Sequence, residues 1–150
     1  MTALAAAGAG FLLAVLWFDL MFDIQARGHR DRELPDPALA SIAAYYRRVT
    51  IGASPMNRLV ALVMLATLAA IVAEIAGDDV PAATAWVSLA LALPAFATAA
   101  LHTFPAAVRL GAREGTPAER SALARSILRD HLICLVLIVA LLALQLAEAL

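Results

Sequence analysis

Four long apolar stretches constrain the fold of this chain more than any other feature of its sequence. They cover approximately residues 3–22, 56–76, 82–104 and 131–150. At about 1.5 Å of rise per residue, a helix over each stretch is long enough to cross the hydrocarbon core of a bilayer. The chain is 63% hydrophobic, whereas soluble domains are about half apolar. The sequence therefore predicts an all-α integral membrane protein, one domain over residues 1–150 built as a four-helix bundle with four transmembrane spans.

Local sequence signals indicate where two of these helices begin. Ser54 and Pro55 precede the second stretch and are typical of an N-cap and the first helical residue. Thr116 and Glu119 have the spacing of a capping box. We therefore expect the fourth helix to begin near Pro117, well ahead of its membrane segment.

The connection between the first two spans contains a shorter amphipathic helix, which starts at Asp36-Pro37. Its apolar residues recur at helical spacing and are Leu39, Ile42, Ala43, Tyr46 and Val49. Such a face predicts a helix that lies on the membrane surface. We expect Tyr45 and Tyr46 to anchor it at the depth of the lipid headgroups, where tyrosine is enriched.

The distribution of arginine predicts the orientation in the membrane. Arginine supplies all 11 basic residues, and they fall in or beside the first and third connections: Arg27, Arg30, Arg32, Arg47, Arg48, Arg58, Arg109, Arg113, Arg120, Arg125 and Arg129. The second connection contains Asp78 and Asp79 and no arginine. Because arginine-rich loops stay in the cytoplasm, we expect cytoplasmic loops over residues 24–54 and 105–124. Both termini then lie outside, and the membrane is the plasma (inner) membrane.

Strongly polar residues gather at one end of the predicted bundle. Asp19 and Asp23 are four residues apart and so share one face of the first helix. With alternating helix directions, the cytoplasmic boundary also receives Asn57, Arg58, His102, Arg125, Arg129, Asp130 and His131. An ionisable group at a membrane boundary or deeper normally has a partner or a task. We therefore expect a polar site there, with Glu74, Gln145 and Glu148 at the opposite end.

Several hypotheses make this site functional. Asp19, Asp23, His102 and His131 are candidate catalytic residues and candidate ligands for a divalent metal such as zinc, iron or manganese. His102 and His131 come from consecutive antiparallel helices, which suits ligation of a b-type haem. Both possibilities describe a small membrane enzyme or redox protein. The same acids and histidines, with Glu74, could instead form parts of a proton relay.

Two further hypotheses need no catalysis. Asp19 and Asp23 can pair with Arg58, Arg125 or Arg129 and hold the bundle together, as in a structural or anchoring subunit of a membrane complex. Guanidinium groups also bind phosphate bidentately. Binding of an anionic lipid or headgroup is therefore expected of Arg47, Arg48, Arg58, Arg109, Arg125 and Arg129. Expected partners are anionic lipids on the cytoplasmic side and either a second copy of the chain or a larger membrane complex, with no nucleic acid.

The last third of the chain is similar in layout to one group of small membrane proteins. The segment HTFPAAVRLG, followed by ARSILRDHLICL, resembles the anthrone-oxygenase-like group in its proline-containing exit from the third span and its basic, histidine-containing approach to the fourth. The resemblance is one of layout, and no residue role is carried over from it. The four-helix enzymes of glutathione and eicosanoid metabolism share the size and span number, but their basic-His-Asn-Glu signature is absent from YYRRVTIGASPMNRL.

Overall fold

A computed structural model describes residues 1–28, 33–52, 54–77 and 80–149 of the chain. Six α-helices are found in these ranges, namely α1 (Thr2–Asp23), α2 (Asp36–Arg47), α3 (Ser54–Ala76), α4 (Ala82–Thr98), α5 (Phe104–Gly111) and α6 (Pro117–Ala149). The predictions that involve Arg30, Arg32, Asp78, Asp79 and the side chain of Ser54 lie outside the described parts of the chain.

Four helical segments are long and apolar enough to cross a membrane, which confirms the predicted all-α four-helix bundle. They are Thr2–Ala26, Pro55–Ala76, Ala82–Gly111 and Pro117–Ala149. The first continues from α1 into a short 3₁₀ turn over Ile24–Ala26. The third joins α4 and α5 through a π-helical segment, Ala99–Thr103. Residues 105–111, which the sequence prediction assigned to the loop 105–124, are therefore helical.

The predicted start of α6 at Pro117 is confirmed by its cap. The backbone N–H of Thr116 donates to Oε2 of Glu119 at 2.7 Å, and the N–H of Glu119 donates to Oγ1 of Thr116 at 3.3 Å. These reciprocal bonds satisfy backbone donors that the first helical turn leaves without partners.

Small residues form much of the contact between the long helices. α1 packs against α3 and α6, and α4 packs against the same two helices. A Cβ atom on Gly8 would clash with Oγ1 of Thr67, so glycine permits the close approach of α1 and α3. The apolar core of this contact contains Ala5, Ala9, Leu12, Ile71, Ala92, Ala95, Ile138 and Leu141. Large apolar side chains such as Trp17, Leu65 and Val136 face outward.

A second apolar core lies at the end of the bundle where α2 and α5 pack together. Its buried members include Leu39, Ile42, Ala43, Tyr46, Leu110, Ala124 and Ile127. Gly111 lies against the α2 backbone, since a Cβ atom there would come within 2.7 Å of the backbone nitrogen of Arg47. α2 exists as predicted, and its apolar face, which was expected to lie against the membrane surface, is covered by protein. That face packs against α5 and the first turns of α6, because these segments are helical and offer apolar side chains of their own.

Candidate functional site

Asp23 ends α1 and is buried where α1, α2 and α6 meet. Its side chain is 0% exposed to solvent. Oδ1 accepts a hydrogen bond from the hydroxyl of Tyr46 at 2.8 Å, and Oδ2 lies 2.6 Å from Nδ1 of His131. A buried carboxylate is tolerated only when hydrogen bonds replace its hydration. Tyr46 and His131 provide them here.

Asp19 lies one turn earlier on the same face of α1 and repeats the pattern with the neighbouring tyrosine. Its Oδ1 accepts from the hydroxyl of Tyr45 at 2.6 Å, and its Oδ2 lies 3.8 Å from Nε2 of His131. The Tyr45 ring also stacks on Phe22, with 4.0 Å between ring centroids. The His131 ring therefore lies between two carboxylates, with one nitrogen directed to each.

The two tyrosines act as fixed hydrogen-bond donors. Burial, followed by the nearby carboxylate of Asp19, raises the pKa of Tyr45 well above its usual range. Burial and then the carboxylate of Asp23 raise the pKa of Tyr46 in the same way. Both phenols therefore stay protonated and point their O–H groups at the acids.

The environment of His131 assigns different roles to its ring nitrogens. A carboxylate can only accept, so Nδ1 carries the proton that it shares with Asp23. Nε2 is beyond hydrogen-bond distance of Asp19. In a neutral ring with the proton on Nδ1, Nε2 carries the lone pair.

A second imidazole–carboxylate pair lies beside the first. Nδ1 of His102 is 2.5 Å from Oδ2 of Asp130, the residue that precedes His131 on α6. The same oxygen lies 3.4 Å from the hydroxyl of Thr103, while Oδ1 lies 3.4 Å from the guanidinium of Arg129. Asp130 is 5% exposed and His102 is 54% exposed. The π-helical segment Ala99–Thr103 carries both His102 and Thr103 to this position.

Asp19 and His131 line a largely apolar cavity of about 610 Å³. It lies among the long helices, and its apolar wall includes Leu16, Val60, Met64, Phe96 and Ile138. Its polar residues are Asp19, Tyr45, Tyr46, Thr50, Asn57, Thr103 and His131. Ligand sites typically combine an apolar wall with a few polar groups that fix orientation. This cavity has that composition.

The structure brings Asp19, Asp23 and His131 into one cluster, while His102 belongs to the neighbouring pair with Asp130. Within the described residues, the arrangement contains no group of three or more His, Cys, Asp or Glu side chains that could hold a metal ion. The structure therefore adds no support for the metal hypothesis, and ligation of haem by His102 and His131 stays a prediction.

Arginine does not provide the hydrogen bonds that the structure describes for Asp19 and Asp23. The sequence hypothesis paired these acids with Arg58, Arg125 or Arg129, but their partners are Tyr45, Tyr46 and His131. The structure thus gives the acids partners that the hypothesis did not include, because α2 folds back onto the bundle and carries two phenols to them. Of the arginines expected to bind anions, Arg125 is half-buried, and those with exposed side chains are Arg47, Arg48, Arg58, Arg109 and Arg129.

Sequence reasoning missed the roles of Tyr45 and Tyr46. The available signal was the position of Tyr46 on the apolar face of α2, in line with Leu39 and Ile42. A phenol on a buried face needs a hydrogen-bond partner for its hydroxyl group. The unpaired acids of the first span were candidates for that partner.

Comparisons of the chain with protein-family models, with curated proteins and with solved structures found no significant match.

Proposed function

We propose that this protein is a small membrane enzyme that binds a lipid-soluble molecule with an oxygen-bearing head and moves a proton on that head. The observation that carries the proposal is the apolar cavity of about 610 Å³ whose lining includes Asp19 and His131. An apolar wall suits a hydrocarbon body, and the polar end suits a carbonyl or phenol group. These two properties favour a ligand that arrives from the membrane.

The proposed chemistry assigns one role to each member of the cluster. His131 accepts a proton from the head of the ligand at Nε2, the nitrogen that faces Asp19 across 3.8 Å, and then returns a proton to the same head. Asp23 holds the ring through Nδ1 and stabilises the positive charge that forms on it. Tyr46 keeps Asp23 in place, and Tyr45 does the same for Asp19. Asp19 is the group nearest to Nε2 and orients the reacting head.

We propose that the protein spans the plasma (inner) membrane with both termini outside, and that the site lies at the cytoplasmic boundary. The asymmetric distribution of arginine supports this orientation. Arg47 and Arg48 at the end of α2 and Arg109 in α5 are exposed, and they suit contact with anionic lipid. The head of the ligand would then be processed next to the cytoplasmic boundary. Association with a second copy or with a larger complex remains part of the proposal.

The first test measures binding. Long-chain ketones and phenols are added to the detergent-purified protein, with matched hydrocarbons that lack the oxygen as controls. We expect the oxygenated compounds to raise the melting temperature with the logarithm of their concentration, with a gain in the free energy of unfolding of about 2.7 kcal/mol at a hundred times the dissociation constant. Ala99→Phe, on the cavity wall, should abolish the effect. Ala97→Phe places the same side chain outside the cavity lining and is the matched control.

The second test measures proton transfer. A bound ketone is incubated with the protein in D₂O, and deuterium next to the carbonyl is measured by mass spectrometry. His131→Gln should reduce exchange by about two to four orders of magnitude, the usual contribution of a positioned acid or base. Binding without exchange in the wild-type protein would reject the enzymatic role.

A non-catalytic role is the second candidate function. It is supported by the position of the cluster, which connects three helices. Tyr46 on α2, Asp23 on α1 and His131 on α6 are joined in one buried set of bonds. If the role is structural, His131→Gln lowers the melting temperature and no compound in the panel binds. The metal and haem hypotheses are tested separately, by elemental analysis and an absorption spectrum of the same preparation.

A further inference from the structure

A second buried polar cluster lies far from Asp19 and His131, at the opposite end of the bundle. Nε2 of Gln145 donates to Oε2 of Glu74 at 3.0 Å and to Oγ of Ser88 at 2.9 Å. Glu74 is 1% exposed, and Ser88 and Gln145 are 0% exposed. The three residues come from α3, α4 and α6, so the cluster joins three of the four long helices.

Two oxygen atoms of this cluster are buried without a hydrogen-bond partner in the described structure. They are Oε1 of Glu74 and Oε1 of Gln145. A buried acceptor that has lost water and gained no donor is unfavourable, and it calls for an explanation at the site. The carboxyl group of Glu74 and the amide of Gln145 already share one hydrogen bond, and these two oxygen atoms are the ones that it leaves without a partner.

The side chains of α3, α4 and α6 offer no positive charge at the level of Glu74, and the α-amino group at this end of the bundle belongs to Met1, which is 56% exposed at the start of α1. The arginine of α3 is Arg58, sixteen residues away, and α4 contains no basic residue. The last arginine of α6 is Arg129, sixteen residues before Gln145. Sixteen residues of helix correspond to about 24 Å. Glu148, the other acid near this end of α6, accepts a hydrogen bond from Thr84 and adds only negative charge.

We propose that Glu74 and Gln145 form a proton-binding site, in which Glu74 carries a proton on Oε1 and donates it to Oε1 of Gln145. The carboxylate takes up one proton from water and becomes a neutral carboxyl group. A carboxylic acid and a primary amide are complementary, since each then donates one hydrogen bond and accepts one. A single proton therefore satisfies both orphaned oxygens and removes an uncompensated charge from an apolar region.

A proton explains the cluster better than a metal cation does. A metal cation would need several further oxygen ligands, and the side chains of this cluster leave only the two oxygens named above without a partner. The proposal is independent of the enzymatic role given to His131. It identifies a place within the bundle where a proton is held between α3, α4 and α6.

Infrared spectroscopy of the purified protein at neutral pH tests the proposal. A protonated carboxyl group has a carbonyl stretching band that an ionised carboxylate lacks. We expect this band in the wild-type protein and its loss in Glu74→Gln. Glu148→Gln is the matched control and should keep the band, because Glu148 lies at the same end but outside the buried trio. A wild-type spectrum in which Glu74→Gln removes no carboxyl band would overturn the proposal.

The melting temperature supplies a second test, since glutamine provides an N–H where the proposed O–H lies. Glu74→Gln should melt within about 2 °C of the wild-type protein. Glu74→Met, which has no donor, should melt several degrees lower. A stronger loss in Glu74→Gln than in Glu74→Met would contradict a neutral Glu74. Stabilisation of the wild type by NaCl over choline chloride, absent in Glu74→Gln, would show that Na⁺ occupies the site instead and would also overturn the proposal.

Discussion

Nδ1 of His131 lies 2.6 Å from Oδ2 of Asp23, and this contact joins positions 108 residues apart in the chain. It connects the last residue of α1 to the middle of α6, at the level where the hydroxyl of Tyr46 reaches the other oxygen of Asp23. The contact therefore fixes two long helices to each other and sets the direction of the imidazole ring. Both the stability of this contact and the proposed chemistry of His131 therefore involve the same carboxylate.

Replacing Asp23 with asparagine should destabilise the protein by about 1–3 kcal/mol. The two donors approach different oxygens of the carboxylate, whereas the amide side chain has an oxygen at only one of these two positions. Its NH₂ group would oppose either the N–H of His131 or the hydroxyl of Tyr46. Thermal unfolding in detergent measures the loss, at roughly 2–4 °C for each kcal/mol.

Glu114→Gln is the matched control for Asp23→Asn. Glu114 is 59% exposed and its contact with Arg109 is 3.7 Å long, so we expect a change within about 0.5 kcal/mol. Equal melting temperatures for the two variants would show that the buried carboxylate contributes nothing to stability.

The two adjacent tyrosines should differ in the cost of losing their hydroxyl groups. Tyr46→Phe leaves a fully buried carboxylate without one of its donors and should cost about 1–2 kcal/mol. Tyr45→Phe should cost less, because Asp19 is 17% exposed and can bind water instead. Urea unfolding of both variants checks the order. A double-mutant cycle of Tyr46→Phe with Asp23→Asn should show coupling of about 0.5–3 kcal/mol, and additive effects would contradict the described bond.

Gly111→Ala should destabilise the contact between α2 and α5 by about 1–3 kcal/mol. The new methyl group would meet the backbone of Arg47, with its nitrogen at 2.7 Å and its Cα at 3.0 Å. A backbone cannot move aside as a flexible side chain can. Gly10→Ala is the control, since no atom lies within 4 Å of the added Cβ, and alanine favours the helix by up to about 1 kcal/mol. Thermal unfolding should therefore show a lower melting temperature than the wild type for Gly111→Ala and a higher one for Gly10→Ala.

Thr116→Ala should loosen the first turn of α6. The hydroxyl of Thr116 accepts from the backbone N–H of Glu119 and contacts its carboxylate at 2.9 Å. Loss of such a cap costs about 1 kcal/mol. Hydrogen–deuterium exchange should accelerate at the start of α6 and stay unchanged beyond Asp130. Glu119→Gln keeps the capping pattern and should exchange as the wild type does.

The bundle and the α6 cap could be predicted from the sequence, whereas the partners of the acids could not. Thr116 and Glu119 are three residues apart, so their mutual bonds depend only on local geometry. Asp19 and Asp23 were correctly placed on one helical face for the same reason. Their partners Tyr45, Tyr46 and His131 come from other helices, and the arginines of the sequence were equally plausible candidates. Residue type and spacing carry no information on which of several polar side chains will reach a given carboxylate.

The four long apolar helices follow from the sequence alone, because hydropathy and helix length are properties of contiguous residues. The amphipathic character of α2 follows from the sequence in the same way. What covers the apolar face of α2 depends on tertiary packing. Lipid and protein both bury apolar side chains favourably, and the choice depends on whether α5 and α6 bring a complementary apolar surface to the same place. They do, and this packing turns Tyr45 and Tyr46 from expected membrane anchors into the donors that hold Asp19 and Asp23 around His131.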